Sequence, residues 1–215
     1  MASISALLGA NDELLVVDDG STDGTSEILA DLDRTVARLR VVTHSQNVGV
    51  GGALATGFRE SLTPIIVTMD ADLSHPGDMV PDLVAGCESA DAVFASRFVP
   101  GGGMHGVPKF RARISRIGNA VLRVMLRVPV RDMTTGFRAY RSDAIAGLPL
   151  KGKGFETQLE INVRLAHRKA RVVEIPLTLR PRAAGQSKMN YRRLLRPYTT
   201  MTARMVGLRW LGIGA

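Results

Sequence analysis

The sequence has little cysteine, few aromatics and no long apolar run, and each shortage excludes something. Cys87 is the only cysteine, so no intrachain disulfide is possible, which fits a reducing, cytoplasmic compartment. Aromatic residues make up 5% of the chain, and no basic run is interleaved with them. That argues against a base-stacking surface, and no nucleic-acid partner is expected. Nowhere do enough consecutive apolar residues occur to span a bilayer, and the start lacks a signal-peptide pattern. The four histidines, His44, His75, His105 and His167, are too scattered to form a metal-ligand spacing. No internal repeat or low-complexity linker is present.

What is there is enough chain for one sizeable core, 215 residues, with a formal net charge of +8. The excess of positive charge favours anionic partners such as nucleotide phosphates or an anionic lipid surface.

The most informative stretch is Ile65 to Pro76, IIVTMDADLSHP. A β-branched run reads as a buried strand that ends in two carboxylates one residue apart. At the carboxyl end of a strand, Asp70 and Asp72 point into the crevice where open α/β sheets bind ligands. Two hard oxygen ligands there suit Mg²⁺ or Mn²⁺ shared with substrate phosphates. The plainer alternative is an Asp-rich turn capped by Asp72 or Ser74.

Elsewhere strands and helices alternate. Glu13 to Asp18 reads as a strand closing in the turn Asp18 to Thr25. A helix follows to about Leu39, with Ile28, Leu32, Val36 and Leu39 on one face, and then a strand over Arg40 to Thr43. Asn47 to Gly52 is a glycine-rich turn, but it lacks the lysine of a P-loop. Asp91 to Ser96 is a strand. Val99 to Pro108 reads as an irregular, mobile loop. Lys109 to Val128 is a cationic amphipathic helix, with Ile114, Ile117, Val121, Val124 and Val128 on one face; it is either a solvated surface helix or one lying on a membrane. Phe155 to Lys169 is a helix, Arg171 to Arg180 an edge strand because of Pro176, and the tail from Tyr191 a basic helix. The class is α/β with a mainly parallel sheet flanked by helices. Two units are expected: 1–189, the α/β domain, and 190–215, a basic amphipathic helix.

Several separated stretches, VVDDGSTDGT (Val16 to Thr25), MDADLSHP (Met69 to Pro76), SRFVPGGG (Ser96 to Gly103), TTGFRAYR (Thr134 to Arg141) and RAAGQSK (Arg182 to Lys188), together resemble the polyprenyl-phosphate sugar transferases. These are glycosyltransferases of family two with the GT-A fold, and the chain is most similar to their dolichyl- or polyprenyl-phosphate mannose synthases. The resemblance implies inverting transfer of a hexose from a nucleotide-sugar donor, with mannose from GDP-mannose first and a UDP-hexose as the alternative. The acceptor is a polyprenyl or dolichyl phosphate, and the cofactor Mg²⁺ or Mn²⁺. It implies that Asp19 contacts the nucleobase, that Asp70 sits near the ribose and diphosphate, and that Asp72 and Ser74 flank the metal. Arg97, Arg111 and Ser115 would hold the acceptor phosphate, and Arg182 and Lys188 would close over the donor diphosphate.

The chemistry agrees with those residue types. Charge grows on a departing diphosphate, and cationic groups stabilise it. An acceptor phosphate is already ionised, so it needs positioning more than a base. The family opens with a further strand and helix ahead of the V-D-D strand, of which this chain has only about a dozen residues. The expectation is a sheet lacking its first strand, with weak donor affinity. A non-catalytic domain that binds a membrane or partner enzyme is the alternative from another class. The apolar and basic tail is expected to attach peripherally to the cytoplasmic leaflet.

Overall fold

The computed structural model describes residue 4, residues 7–179 and residues 191–211, with side chains from 196 onward in the last stretch. Arg182 and Lys188 therefore lie outside the described residues.

Strands β1 (Leu14–Asp18) and β2 (Leu39–Thr43) pair in parallel. A second sheet holds β3 (Ile65–Thr68), β4 (Ala92–Ser96), β6 (Arg138–Arg141) and β7 (Val172–Pro176) in the order β3-β6-β4-β7. The short strands β5 (Gly103–Met104) and β8 (Thr178–Leu179) pair in parallel as a third, separate sheet. The helices are α1 (Thr25–Thr35), α2 (Val50–Glu60), α3 (Val80–Gly86), α4 (Lys109–Leu126), α5 (Ser142–Ile145), α6 (Thr157–His167) and α7 (Tyr191–Leu211).

Strand direction positions the site. β6 runs antiparallel to both β3 and β4. β3 and β4 therefore point the same way, and their carboxyl ends open on one edge. The turn that feeds β6 arrives at that same edge.

β4 shows why the second sheet is the centre of the fold. All five of its residues are buried. Ala92 and Phe94 face one cluster, with Tyr140, Leu126, Leu159 and Met205. Val93 and Ala95 face another, with Leu83, Phe137 and Leu177. That is the two-residue period of a strand covered on both faces, and each large apolar side chain so buried stabilises the fold by about 1.5–3 kcal/mol. β1 and β3 are different. Among the described residues they make no ladder with one another, and their side chains are mostly half-buried.

Three expectations need correction. The first helix stops at Thr35, not near Leu39. Val36 is extended, Arg38 adopts a left-handed φ of 64°, and Leu39 begins β2. Ile28, expected on the buried face, is 62% exposed, and Leu29 is buried instead.

The glycine-rich loop is not wholly irregular either. The Gly103 N–H donates to the Leu177 carbonyl at 2.8 Å and starts β5. Gly102 is needed there because a Cβ would overlap the Ser96 carbonyl oxygen.

The third correction concerns α4. Ile114, Ile117, Val121 and Val124 all face solvent, and of the expected stripe only Val128, beyond the helix, is buried. The side turned to the protein carries Asn119 and Leu126, both buried, with Ala112, Ser115 and Leu122 partly covered. α7 lies on the domain rather than apart from it: Met201, Met205 and Leu208 join the main core.

The glycine-rich start of α2 packs directly on the loop before α6. A Cβ on Gly51 would overlap the Gly152 carbonyl oxygen and Thr157 Oγ1, whereas Gly207 in α7 has open space around it. Gly51→Ala is expected to lose about 1–3 kcal/mol by overpacking. Gly207→Ala should gain about 0.5–1 kcal/mol from helix propensity. Urea unfolding of the two variants checks the contrast.

Candidate active site at the carboxyl edge of the sheet

The turn after β1 is built by its own carboxylates. Asp18 is buried and accepts from the Ser21 N–H at 3.1 Å, the Ser21 hydroxyl at 2.6 Å and the Ser26 hydroxyl. The two serine hydroxyls hold its carboxyl below the ordinary range. Asp19 ties this turn to the next loop. Its Oδ1 receives His44 Nδ1 at 2.8 Å and the Val48 N–H at 2.9 Å, and its Oδ2 the Gly49 N–H at 2.8 Å. Burial pushes Asp19 up, but His44 and those amides outweigh it and leave it lowered.

The next loop hands the connection onward. The Gly51 N–H donates to the Lys153 carbonyl at 3.0 Å. The loop before α6 is itself fixed by carboxylates: Glu160 Oε2 accepts from the Lys151 and Gly152 amides at 2.7 and 2.9 Å, and Glu156 Oε1 from those of Lys153 and Gly154 at 3.1 and 2.9 Å.

At the mouth, two residues past β3, the Asp70 side chain is 48% exposed. Its carboxylate lies against the bare Cα of Gly136, where an added Cβ would stand 3.5 Å from Oδ1. Asp72 Oδ1 accepts from the Ser74 N–H at 3.0 Å, which closes the turn, and Ser74 itself is buried. The capping alternative therefore describes this turn's backbone, and it leaves the Asp70 carboxylate open to solvent.

Across the edge, after β4, Arg97 forms a forked pair with the buried Asp132. Nε donates to Oδ2 at 2.7 Å and Nη2 to Oδ1 at 2.6 Å. The Arg97 backbone N–H adds a third donor at 3.0 Å, and the Thr134 and Thr135 amides two more at 3.3 and 3.1 Å. Arg97 Nη2 also reaches Thr134 Oγ1 at 2.8 Å. On β7, Glu174 takes the Arg131 and Asp132 amides at 2.7 and 2.9 Å. The guanidinium of Arg97 is thus fixed from one side, 15% exposed.

Arg116 on α4 joins it around one ring. Arg97 Cζ lies 5.1 Å from the centroid of Phe98 and Arg116 Cζ 6.0 Å. Arg111 is exposed beside Phe110, and Ser115 is half-buried on the same helix. The edge thus presents the Asp70 carboxylate on one lip and, on the other, the fixed Arg97 with the exposed Arg116 sharing its ring.

A family model described as glycosyl transferase family 2 matches residues 1–148. The chain belongs to glycosyltransferase family 2. It is 35% identical over 209 residues to an undecaprenyl-phosphate mannosyltransferase of Micrococcus luteus, covering 94% of this chain and 86% of that one. It is also 35% identical to a polyprenol monophosphomannose synthase of Mycolicibacterium smegmatis, covering 82% of this chain and 70% of that one. The same identity holds for a dolichol-phosphate mannosyltransferase of Pyrococcus furiosus, of which the chain spans 53%. The architecture is the GT-A fold. It superposes on glucosyl-3-phosphoglycerate synthase of Mycobacterium tuberculosis with a TM-score of 0.73 at 22% identity, covering 95% of this chain and 73% of that one. A complex of that protein with Mn²⁺, UDP-glucose and phosphoglyceric acid gives a TM-score of 0.72 at the same identity, over 96% of this chain and 73% of that one.

Within this transferase Asp70, Asp72 and Arg97 lie around one buried group, and Ser74 belongs to the turn that Asp72 closes. The buried imidazole of His75 feels the charges of Asp70, Asp72, Arg97 and Asp132 together. That histidine was not foreseen. Nδ1 accepts the Asp70 N–H at 3.1 Å, and the ring stacks on Phe137 at 5.0 Å. Burial holds it below the usual histidine value despite the carboxylates. Asp132, Glu174, His44 and Asn119 were also missed. Asn119 Nδ2 donates to the Ser115 carbonyl at 2.8 Å, and its Oδ1 accepts the Met133 N–H at 2.7 Å, which locks α4 to the mouth. Only the Arg-Asp pairing of opposite charges was available as a signal, and 35 residues of sequence separate its partners.

A divalent ion fits the mouth as one shared with substrate. Asp70 and Asp72 are hard oxygen donors by type, in the turn that follows β3, and Ser74 is buried in that turn. Among the described residues no three His, Cys, Asp or Glu side chains form a protein cage. Mg²⁺ is commonly held by one or two carboxylates with phosphates completing the shell.

The Arg97–Asp132 pair sets an acid limit. Burial alone pushes Asp132 up, but the hydrogen bonds and charge of Arg97 reverse this and leave it below its usual value. A folded-state value below the unfolded one, about 3.9, means that the pair stabilises the fold fully above that pH. The contribution disappears as pH falls through the folded value. Asp132→Asn leaves the buried guanidinium poorly compensated and should destabilise the protein by about 3 kcal/mol at pH 7. Its denaturant midpoint should then fall less steeply than wild type's below pH 4.

Proposed function

We propose that this transferase moves a hexose, first of all mannose, from a nucleoside diphosphate onto a polyprenyl phosphate at a membrane surface, with inversion. The observation that carries this is the exposed Asp70 carboxylate facing the fixed Arg97 guanidinium across one mouth, in a chain whose relatives are named for that acceptor class.

Asp72 and Ser74 would hold Mg²⁺ or Mn²⁺, whose chemistry there would be neutralisation of the departing diphosphate. Asp70 and Asp19 orient the nucleotide, with Asp19 in a turn already pinned by His44 and the 48–49 amides. Arg97, Arg111 and Ser115 receive the acceptor phosphate. The fork of Arg97 is held by Asp132, so it meets the phosphate without first being ordered. Arg182 and Lys188 close over the diphosphate in this scheme. The acceptor oxygen is already anionic, so no side chain need remove a proton.

α4 supports the membrane side. At 100° per residue, Phe110, Ile114, Ile117, Val121, Val124 and Met125 fall on one strip nearly opposite the face that packs on the domain. They are 44–75% exposed. Lys109, Arg113, Arg116, Arg123 and Arg127 occupy the strip between these faces. Trp210 of α7 continues the ridge: its indole N–H donates to the Met125 carbonyl at 3.0 Å, and Arg127 lies 3.2 Å from its ring centroid. An apolar strip beside a basic one suits the interface of anionic lipid. No helix among the described residues is long and apolar enough to cross a membrane.

Incubation with Mn²⁺, polyprenyl phosphate and a panel of radiolabelled nucleotide-sugars should place label in the lipid extract, GDP-mannose before UDP-glucose. Asp72→Ala should remove it. Absence of lipid label from every donor, with the protein folded, would leave the binding-domain alternative. In vesicle flotation, wild type should rise with anionic liposomes. Ile117→Glu with Val124→Glu should stay at the bottom while keeping wild-type thermal stability, because both positions face solvent.

A further inference from the structure

Among the described residues four buried side-chain polar atoms lack a hydrogen-bond partner: Arg138 Nε, Tyr140 OH, Thr157 Oγ1 and Gln158 Oε1. Such atoms are uncommon, and each calls for an account. Two of them belong to the core. Arg138 is stacked over Phe94 at 3.9 Å and bonded to Asn162, and Tyr140 sits edge-on to Phe94 and Phe58. Thr157 Oγ1 is crowded by Gly51 and Gly152, where even a Cβ has no room. No ligand fits at these three.

Gln158 is different. It is 3% exposed, and α6 delivers it to the mouth. A Cβ placed on Gly136 would stand 3.8 Å from Gln158 Nε2 and 3.5 and 3.9 Å from the two Asp70 carboxylate oxygens. The amide head and the carboxylate therefore flank the same bare Cα, one from α6 and one from the end of β3. Gly136 has no side chain to stand between them.

We propose that Gln158 and Asp70 together read hydroxyl groups of the transferred sugar, which makes Gln158 a specificity-determining residue; this rests on the transferase reading above. The chemistry selects the ligand. A carboxylate only accepts, and an amide both donates and accepts. Neighbouring hydroxyls of a hexose, each a donor and an acceptor, satisfy both groups at once. A bare phosphate has no proton to give the orphaned amide oxygen. Discrimination follows from the cost of leaving a buried acceptor unpaired when the wrong sugar is bound.

The test measures binding, separately from transfer. Calorimetry with Mn²⁺ compares a nucleotide-sugar with its free nucleoside diphosphate on wild type, Gln158→Leu and Gln158→Asn. Leucine keeps most of the volume, and asparagine keeps the amide but withdraws it. Both variants are expected to bind the free diphosphate within about twofold of wild type and the nucleotide-sugar roughly tenfold more weakly. The KM for donor should rise accordingly, and the preference between epimeric donors should narrow. Equal losses for both ligands, or no loss for either, would overturn the assignment even if wild type transfers sugar normally. A selective loss in a wild type and variants that transfer nothing to lipid would uphold it and sink the lipid-transfer reading. Failure of wild type to bind any nucleotide-sugar would sink both.

Discussion

The forked pair between Arg97 and Asp132 is the interaction on which the mouth depends. Arg97 directly follows β4, the only strand of the four-stranded sheet whose every residue is buried. Asp132 precedes the turn that feeds β6. One carboxylate gathers the Arg97 side chain, the Arg97 amide and the amides of Thr134 and Thr135. It therefore fixes the cationic lip and the approach of Gly136 to Asp70. Bonds so complete offset the desolvation penalty that makes a lone buried charge destabilising. Glu174 on β7 closes the frame from the far side by holding the Asp132 amide.

The arrangement follows from strand direction. With β6 reversed between β3 and β4, the ends of two forward strands and the entry of a backward one share an edge. Carboxylates can then come from one strand, the arginine from another and the bare glycine from the turn between. The loops after β1 and β2 join this edge through amide-to-carboxylate bonds. Asp19, the 48–51 amides and the 151–154 loop are linked in that order, and α6 follows with Gln158. Rigid positioning from main-chain donors is what a site needs when its chemistry is placement and charge stabilisation.

Much of this was legible from residues alone. The run Ile65 to Asp72 gave a strand ending in carboxylates, and Pro176 gave an edge strand, because period and proline act locally. The strand ends put Asp70 and Arg97 on one edge of the sheet, as strand direction requires. Less legible was anything set by a distant partner. The apolar stripe of α4 looks like a core face by periodicity, yet periodicity cannot say which side of a helix the domain occupies. Asn119, a polar residue, is turned inward along with Leu126, because its amide oxygen accepts the Met133 N–H. Asp132, Glu174 and His44 have no local pattern, since their roles arise only when segments tens of residues apart are folded together. The helix after Asp18 ended early because Asp33 bonds the Val41 amide of β2, a contact no propensity encodes.

The family supplies the reaction class, and the structure supplies a division of labour among its residues. Asp18 and Asp19 hold backbone, Asp70 is exposed, Asp72 closes its own turn, and Arg97 is pre-ordered. α4 turns an apolar strip and a basic strip away from the domain, next to the lip where an acceptor headgroup would arrive.

The central claim is that the Asp70–Asp72 lip takes a divalent ion together with a nucleoside diphosphate. Electron paramagnetic resonance of Mn²⁺ tests it most directly. Added alone, the ion should bind weakly. Added with a nucleoside diphosphate it should become protein-bound, with the free-ion signal collapsing in wild type and persisting in Asp72→Ala. A free-ion signal that the protein leaves unchanged in the presence of the diphosphate, or one lost equally in wild type and variant, would contradict the account.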